Sequence, residues 1–197
     1  MKRFLILILG FVTIITIVIS CTPQETKTAA AVSFSNDSLI KKGAYLVSIM
    51  GCNDCHTPKK MTDRGPVLDM DRLLSGHPAT MPIMPFDTST SHNWALFNMT
   101  GTAVVGPWGA SFSANLTSDE TGIGTWTEAQ FKKAITEGKS KGLEGTRTLL
   151  PPMPWENYRD IKDDDVKALF AYLKSTKPVQ NIVPNPILPT MLAQYTR

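Results

Sequence analysis

Gly51-Cys52-Asn53-Asp54-Cys55-His56 stands at the end of an amphipathic stretch and decides how the rest of the chain reads. Two thiols three residues apart, with an imidazole directly after the second, have the spacing of covalent haem c attachment. The chemistry requires that spacing. Each thiol adds to one of the two porphyrin vinyl groups, and the next residue lands beneath the iron as its proximal ligand. With three cysteines and three histidines in 197 residues, chance supplies the trio in about one chain in a thousand. Three other readings compete. A Cys52–Cys55 disulfide closes a very tight loop and leaves His56 unexplained. A thioredoxin-like pair needs a βαβ context, and the flanks show helices and prolines instead. A zinc site needs further ligands, and only His77 and His92 remain as soft donors.

Upstream of the motif, Leu39, Ile40, Gly43, Ala44, Leu46 and Val47 recur on one helical face, with Ser38 a candidate N-cap. Further upstream, Thr22 to about Ser35 is small, polar and aperiodic, as a flexible tether is. The first 21 residues, MKRFLILILGFVTIITIVISC, pair a short positive start (Lys2, Arg3) with an apolar run from Phe4 to Ile19. That run is short of the roughly 20 residues a spanning helix needs and suits a signal peptide. Val18-Ile19-Ser20-Cys21 resembles a bacterial lipobox, so the expectation is a lipoprotein signal peptide over 1–20, an acylated Cys21 and a tether over 21–36. The alternative is an uncleaved anchor, and both tether the protein to a membrane on its outer side. Cleavage would remove two positive charges and no acid, reducing the formal net charge from +3 to +1. So weak a charge excludes nucleic acid as a partner. At 42% hydrophobic and 19% charged residues, the composition is that of a globular domain, not of a disordered, collagen-like or coiled-coil chain.

Downstream, Pro58, Pro66, Pro78, Pro82, Pro85 and Pro107 interrupt every would-be helix over 57–125. A helical turn around 69–75 and a strand-like 102–105 are the elements expected there. Order returns at Trp126. Thr127 and Gln130 form a capping box, Trp126 and Phe131 have hydrophobic-staple spacing, and Gly138 should end a helix over 128–137. A last helix begins with Asp163, Asp164 and Asp165, where the helix dipole favours anions. It carries Val166, Leu169, Phe170 and Leu173 on one face and stops at Lys177-Pro178. Between these two helices lies Pro151-Pro152-Met153-Pro154-Trp155. Three prolines remove three backbone donors and fix three φ angles, so the segment can approach a haem face and aim the Met153 sulfur at the iron. Met50 is too close to Cys52 to reach the opposite face. Met61, Met70, Met81, Met84 and Met99 lie in the loop region, and Met191 lies in the tail. His77 or His92 is the alternative sixth ligand.

Several segments together are similar to a known family. Gly43-Ala44-Tyr45-Leu46-Val47, the motif with Thr57-Pro58, Asn115-Leu116-Thr117, Thr121-Gly122-Ile123-Gly124-x-Trp126, Pro151–Trp155 and Asp165–Leu173 resemble class I c-type cytochromes. More narrowly, they resemble cytochrome c subunits of membrane-bound bacterial dehydrogenases and related respiratory carriers. The likeness covers about 39–184 and departs over 59–112, which is longer than in the smallest members. The prolines from Pro178 to Pro189 predict an extended tail over 185–197, while the likeness implies an all-α cytochrome c fold over 37–184, with three or more helices and long loops around one covalent haem. It also implies that the first and last helices cross, with Gly43 allowing close approach against Phe170 or Tyr172. Trp108, Trp126 and Arg147 become candidates to bind the haem propionates.

The expected function is one-electron transfer by a His/Met-ligated haem c iron held by Cys52, Cys55, His56 and Met153. Such a protein is a carrier and not itself an enzyme. Its partners would be a membrane dehydrogenase or a terminal oxidase. Its place would be the periplasmic side of a cell or outer membrane. The alternative is a haem peroxidase or gas sensor with an open or labile sixth site, but no distal His/Arg pair stands at a recognisable spacing.

Overall fold

The computed structural model describes residues 35–195. The expected signal peptide over 1–20, the acylated Cys21 and nearly all of the 21–36 tether lie outside the described residues. Helix α1 spans Asn36–Ile49. Its cap is Ser35 and not Ser38: the Ser35 Oγ accepts from the Ser38 N–H at 3.3 Å, and Ser38 returns its own hydroxyl to Ser35 O at 2.8 Å. Gly51 then turns the chain into α2, the short helix Cys52–His56.

The all-α expectation needs correction over 57–112. A hairpin of β1 (Lys59–Thr62) and β2 (Gly65–Leu68) follows the motif directly, paired Lys59 to Leu68 and Thr62 to Gly65. After the short helix α3 (Thr88–Ser91), strands β3 (Leu96–Phe97), β4 (Ala103–Gly106) and β5 (Gly109–Phe112) form an antiparallel sheet in chain order. The expected turn around 69–75 is a 3₁₀ helix at Met70–Arg72. The strand-like 102–105 is β4. Sequence periodicity misses the sheet because β4 and nearly all of β5 are buried on both faces, so apolar and polar residues do not alternate.

Helix α4 (Glu128–Glu137) has its full capping box, Thr127 with Gln130, and ends at Gly138 in the left-handed region. Helix α5 (Asp163–Ser175) buries Val166, Ala168, Leu169 and Leu173. Phe170 is half-buried and meets the Phe131 ring at 5.6 Å. Together with Val47, Leu74, Ile123, Phe131 and Ile135, the apolar face of α5 makes the main core. A second cluster of Val105, Ala110 and Leu192 lies under the sheet. The 185–197 segment, expected to be extended, is not wholly so. Ile187 pairs with Ala110 of β5, and Pro189–Tyr195 forms a 3₁₀ helix that buries Leu192. Among the described residues no helix is long and apolar enough to cross a membrane.

Helices α1 and α5 meet at Gly43. A Cβ at that position would stand 2.0 Å from Ala168 O and 2.6 Å from Tyr172 Cβ. The expected aromatic neighbour is therefore Tyr172, with Phe170 turned toward α4. Lys42 and Asp165 close the same contact with an ion pair at 2.5 Å. Replacing Gly43 with Ala forces the helices apart and should cost about 3 kcal/mol, the upper range of overpacking. Urea unfolding of the Gly43→Ala variant measures it.

The hairpin is tied down by Asp69, whose side chain is nearly inaccessible. Its carboxylate accepts from Lys60 Nζ at 2.8 Å and Arg72 Nε at 2.7 Å, and from the Asp71 N–H at 3.2 Å. Burial pushes this carboxyl up, but the Lys60 ammonium and Arg72 guanidinium outweigh it and hold it below the usual carboxylate range. A lowered folded pKa gives stability that is present above the unfolded value and lost as pH falls through the folded one. Asp69→Asn should therefore lower the unfolding midpoint at pH 7, and thermal scans should show its gap to wild type closing as pH drops below the ordinary carboxylate pKa.

Candidate functional site

Helix α2 presents Cys52, Cys55 and His56 within little more than one turn. The thiols are free and half-buried. Burial pushes Cys52 up to about 11 and also raises Cys55, so both stay protonated at neutral pH. The His56 ring is also pushed toward its neutral form by burial, against the opposing pull of the Ala114 carbonyl. That carbonyl lies 2.8 Å from Nδ1. A carbonyl only accepts, so Nδ1 carries the proton and Nε2 keeps its lone pair, as a metal-ligating imidazole requires.

The backbone leaving the motif is held just as firmly. Gly76 N–H donates to His56 O at 2.8 Å, and Asp69 N–H donates to Pro58 O at 2.8 Å. The buried Thr57 hydroxyl accepts from the Leu74 N–H at 2.9 Å. Leu74 itself is fully buried with φ 60°, a left-handed conformation that costs a non-glycine residue about 1–2 kcal/mol. Its N–H bond to Thr57 and the Leu116 N–H bond to its carbonyl (2.9 Å) hold it there.

Met153 is half-buried on the proline loop. The loop is braced at two points. Ser111 of β5 donates its hydroxyl to Pro151 O at 2.6 Å, and Met153 N–H closes a turn on Leu150 O at 3.2 Å. The loop continues into the 3₁₀ helix Trp155–Tyr158, whose Tyr158 hydroxyl reaches Met50 O at 3.4 Å. Burial is the main cause that raises the Tyr158 pKa, with smaller contributions from Cys52 and Cys55.

The other candidates separate. His77 is fully buried with both ring nitrogens engaged: Nε2–H donates to Met81 O at 3.0 Å, and Nδ1 accepts from the Thr102 hydroxyl at 2.9 Å. It is a packing histidine in this fold. His92 is the exposed cap residue of α3. The Trp108 indole N–H donates to Ser111 Oγ at 3.3 Å, which makes Trp108 part of the brace behind Pro151. Trp126 packs half-buried on the main core. Arg147 donates to Thr148 O at 2.9 Å, and burial lowers its pKa. Among the described residues no three His, Cys, Asp or Glu side chains form a chelating group, so the zinc reading finds no further donors there. Sequence reasoning missed Ala114, because a backbone carbonyl leaves no signature in the residue that carries it. It also missed Ser111 and Tyr158, whose roles exist only across the fold.

The donor set fits haem c: two thiols, an imidazole with its outer nitrogen committed and its inner one free, and a thioether on a braced loop. Cys52 itself packs half-buried against the main core, as do Leu46, Met50, Leu73, Leu116 and Ile161.

No family model matches the chain. Individual proteins do. It is 30% identical over 139 residues to the gluconate 2-dehydrogenase cytochrome c subunit of Pantoea cypripedii, covering 70% of this chain and 23% of that protein. It is 29% identical over 161 residues to the cytochrome c subunit of the quinone alcohol dehydrogenase of Gluconobacter oxydans, covering 80% and 26%. It is 39% identical over 92 residues to the fructose dehydrogenase cytochrome subunit of Gluconobacter japonicus, covering 45% and 18%. The chain thus spans about a quarter or less of the length of these relatives. Its likeness is to cytochrome subunits of bacterial dehydrogenases.

Proposed function

We propose that this protein is a membrane-tethered, one-electron carrier with a single haem c. In this reading residues 1–20 are a lipoprotein signal peptide, and Cys21 bears the lipid. A dehydrogenase, or a terminal oxidase, is the redox partner on the periplasmic side. The observation that carries the reading is the His56 ring, with Nδ1–H spent on Ala114 and Nε2 left free directly after two unpaired thiols. The bound haem supplies an iron that takes up and returns one electron.

The chain's own residues do the rest. Cys52 and Cys55 would hold the haem covalently through their thiols. His56 offers a neutral imidazole whose orientation and basicity are set by the Ala114 carbonyl. Met153 would supply the second protein ligand, and a Met/His pair favours a higher potential than bis-His ligation. Ser111 and the prolines limit how far that loop can drift. Packing of Cys52 against the main core shields that side of the motif from water and lowers the local dielectric. Redox encounters use small, transient interfaces, which a chain of low net charge suits.

Protein matured in a host that attaches haem c should carry the added mass of one haem and show a low-spin reduced spectrum; a haem-free polypeptide would refute the reading. Met153→Ala should keep the haem, lower the reduction potential and let the iron bind added imidazole or cyanide. An unchanged ligand field would move the sixth ligand elsewhere. Cys52→Ala should lose most of its covalent haem, read by mass spectrometry of the denatured protein.

A further inference from the structure

The carbonyl that receives the His56 proton belongs to no helix or strand, so other contacts must hold it. The Ser113–Ala114 peptide lies against Gly76. A Cβ built on Gly76 would stand 2.4 Å from Ser113 O, 2.5 Å from Ala114 C and 2.6 Å from Ala114 O. Gly76 has φ +76°, where a side chain would be strained as well as crowded. The same glycine donates its N–H to His56 O. One residue thus touches both the backbone of the haem-binding turn and the carbonyl that orients its ring.

Two asparagines lock this layer. Asn181, past the end of α5 and in no motif, donates through Nδ2 to Ser75 O at 2.7 Å and His77 O at 2.9 Å, the carbonyls on either side of Gly76. Its Oδ1 accepts from the Ala79 N–H at 2.9 Å. Asn115, the residue after Ala114 and itself buried, reaches the opposite way. Its Nδ2 donates to Val179 O at 2.9 Å and Thr121 Oγ1 at 3.1 Å, while its Oδ1 accepts from the Thr117 N–H and hydroxyl at 3.0 and 2.8 Å. The Asn181 N–H then donates to the same Thr121 hydroxyl at 2.9 Å. Each asparagine ties its own segment to the next, and the three segments 75–79, 113–117 and 179–181 close into one layer behind His56.

We infer that Asn181, working with Asn115, is a positioning residue for His56: through Gly76 it holds the Ala114 carbonyl at hydrogen-bonding distance from Nδ1. The inference rests on His56 being the haem ligand proposed above. A firm Nδ1–H···O bond gives the ring more imidazolate character and makes Nε2 the better donor to ferric iron. Loosening the clasp lengthens that bond, weakens the donor and favours the ferrous state. The chain segment after the last helix thereby sets a property of the ligand in the first half of the sequence.

The test uses the haem-loaded protein. Hydrogen exchange of the His56 Nδ1 proton is followed by NMR in the reduced state, and the reduction potential by titration. Asn181→Ala, and Asn181→Leu, which keeps the volume, should both speed that exchange by about tenfold, as loss of a protecting hydrogen bond does. Both should shift the potential upward. Ser35→Ala, which removes the cap of α1 and touches none of the three segments, should change neither. Unaltered exchange and potential in the haem-bearing Asn181 variants would overturn the clasp alone. Equal changes in Ser35→Ala would also overturn it, since general loosening would then suffice. Wild-type protein that matures without haem would overturn the functional reading together with it.

Discussion

Two helices drawn from opposite ends of the described chain touch at Gly43 without an intervening side chain, and the rest of the site is measured from that contact. Helix α1 delivers Gly51, and hence the thiols and imidazole, a fixed distance beyond it. Helix α5 follows the 3₁₀ helix that puts Tyr158 on the end of α1. The histidine turn and the methionine loop therefore share one reference point, even though about a hundred residues separate them in sequence. A bulkier residue at position 43 would disturb both at once, because core packing has little slack to absorb a methyl group against a carbonyl.

Helices with a clear boundary chemistry could be read from the sequence almost residue by residue. Thr127, Gln130 and Gly138 bracket α4 because capping is local, and the apolar spacing of Val166, Leu169 and Leu173 marks α5 because the period survives burial on one face. The cysteine and histidine spacing was legible for the same reason: its chemistry is confined to five consecutive residues. Ser35 displaced Ser38 as a cap because either serine can begin that helix, and only the turn geometry chooses between them. What stayed hidden was long-range. The fit of Ala114 to His56 spans 58 residues, and that of Asn181 to Ser75 spans 106. No periodicity records such pairings.

The region 57–112 shows why a strict all-α description falls short. Its prolines forbid long helices, and the short strands that form instead are held by side chains, not by sheet area. Asn98 Oδ1 accepts from the N–H groups of Thr102 and Ala103 at 2.9 and 3.1 Å. Hydroxyls then run from Thr100 to Thr102 to His77, each within 2.9 Å of the next. A neutral, doubly bonded histidine completes that chain. The apparent surplus of polar residues in this region thus has a use: it satisfies backbone and side-chain groups that a two- to four-residue strand cannot. Through Ser111 the same small sheet reaches the proline loop, which links the least regular part of the fold to the methionine side of the site.

Strand β5 would otherwise present an open row of amides and carbonyls along its outer side. The segment 187–192 covers it at Ala110. Ile187 exchanges both backbone bonds with Ala110, and Leu192 seals the apolar underside. That self-pairing removes a place where a neighbour's backbone could graft on and begin a chain of copies. Ile187 and Leu192 thus serve as a guard against self-association.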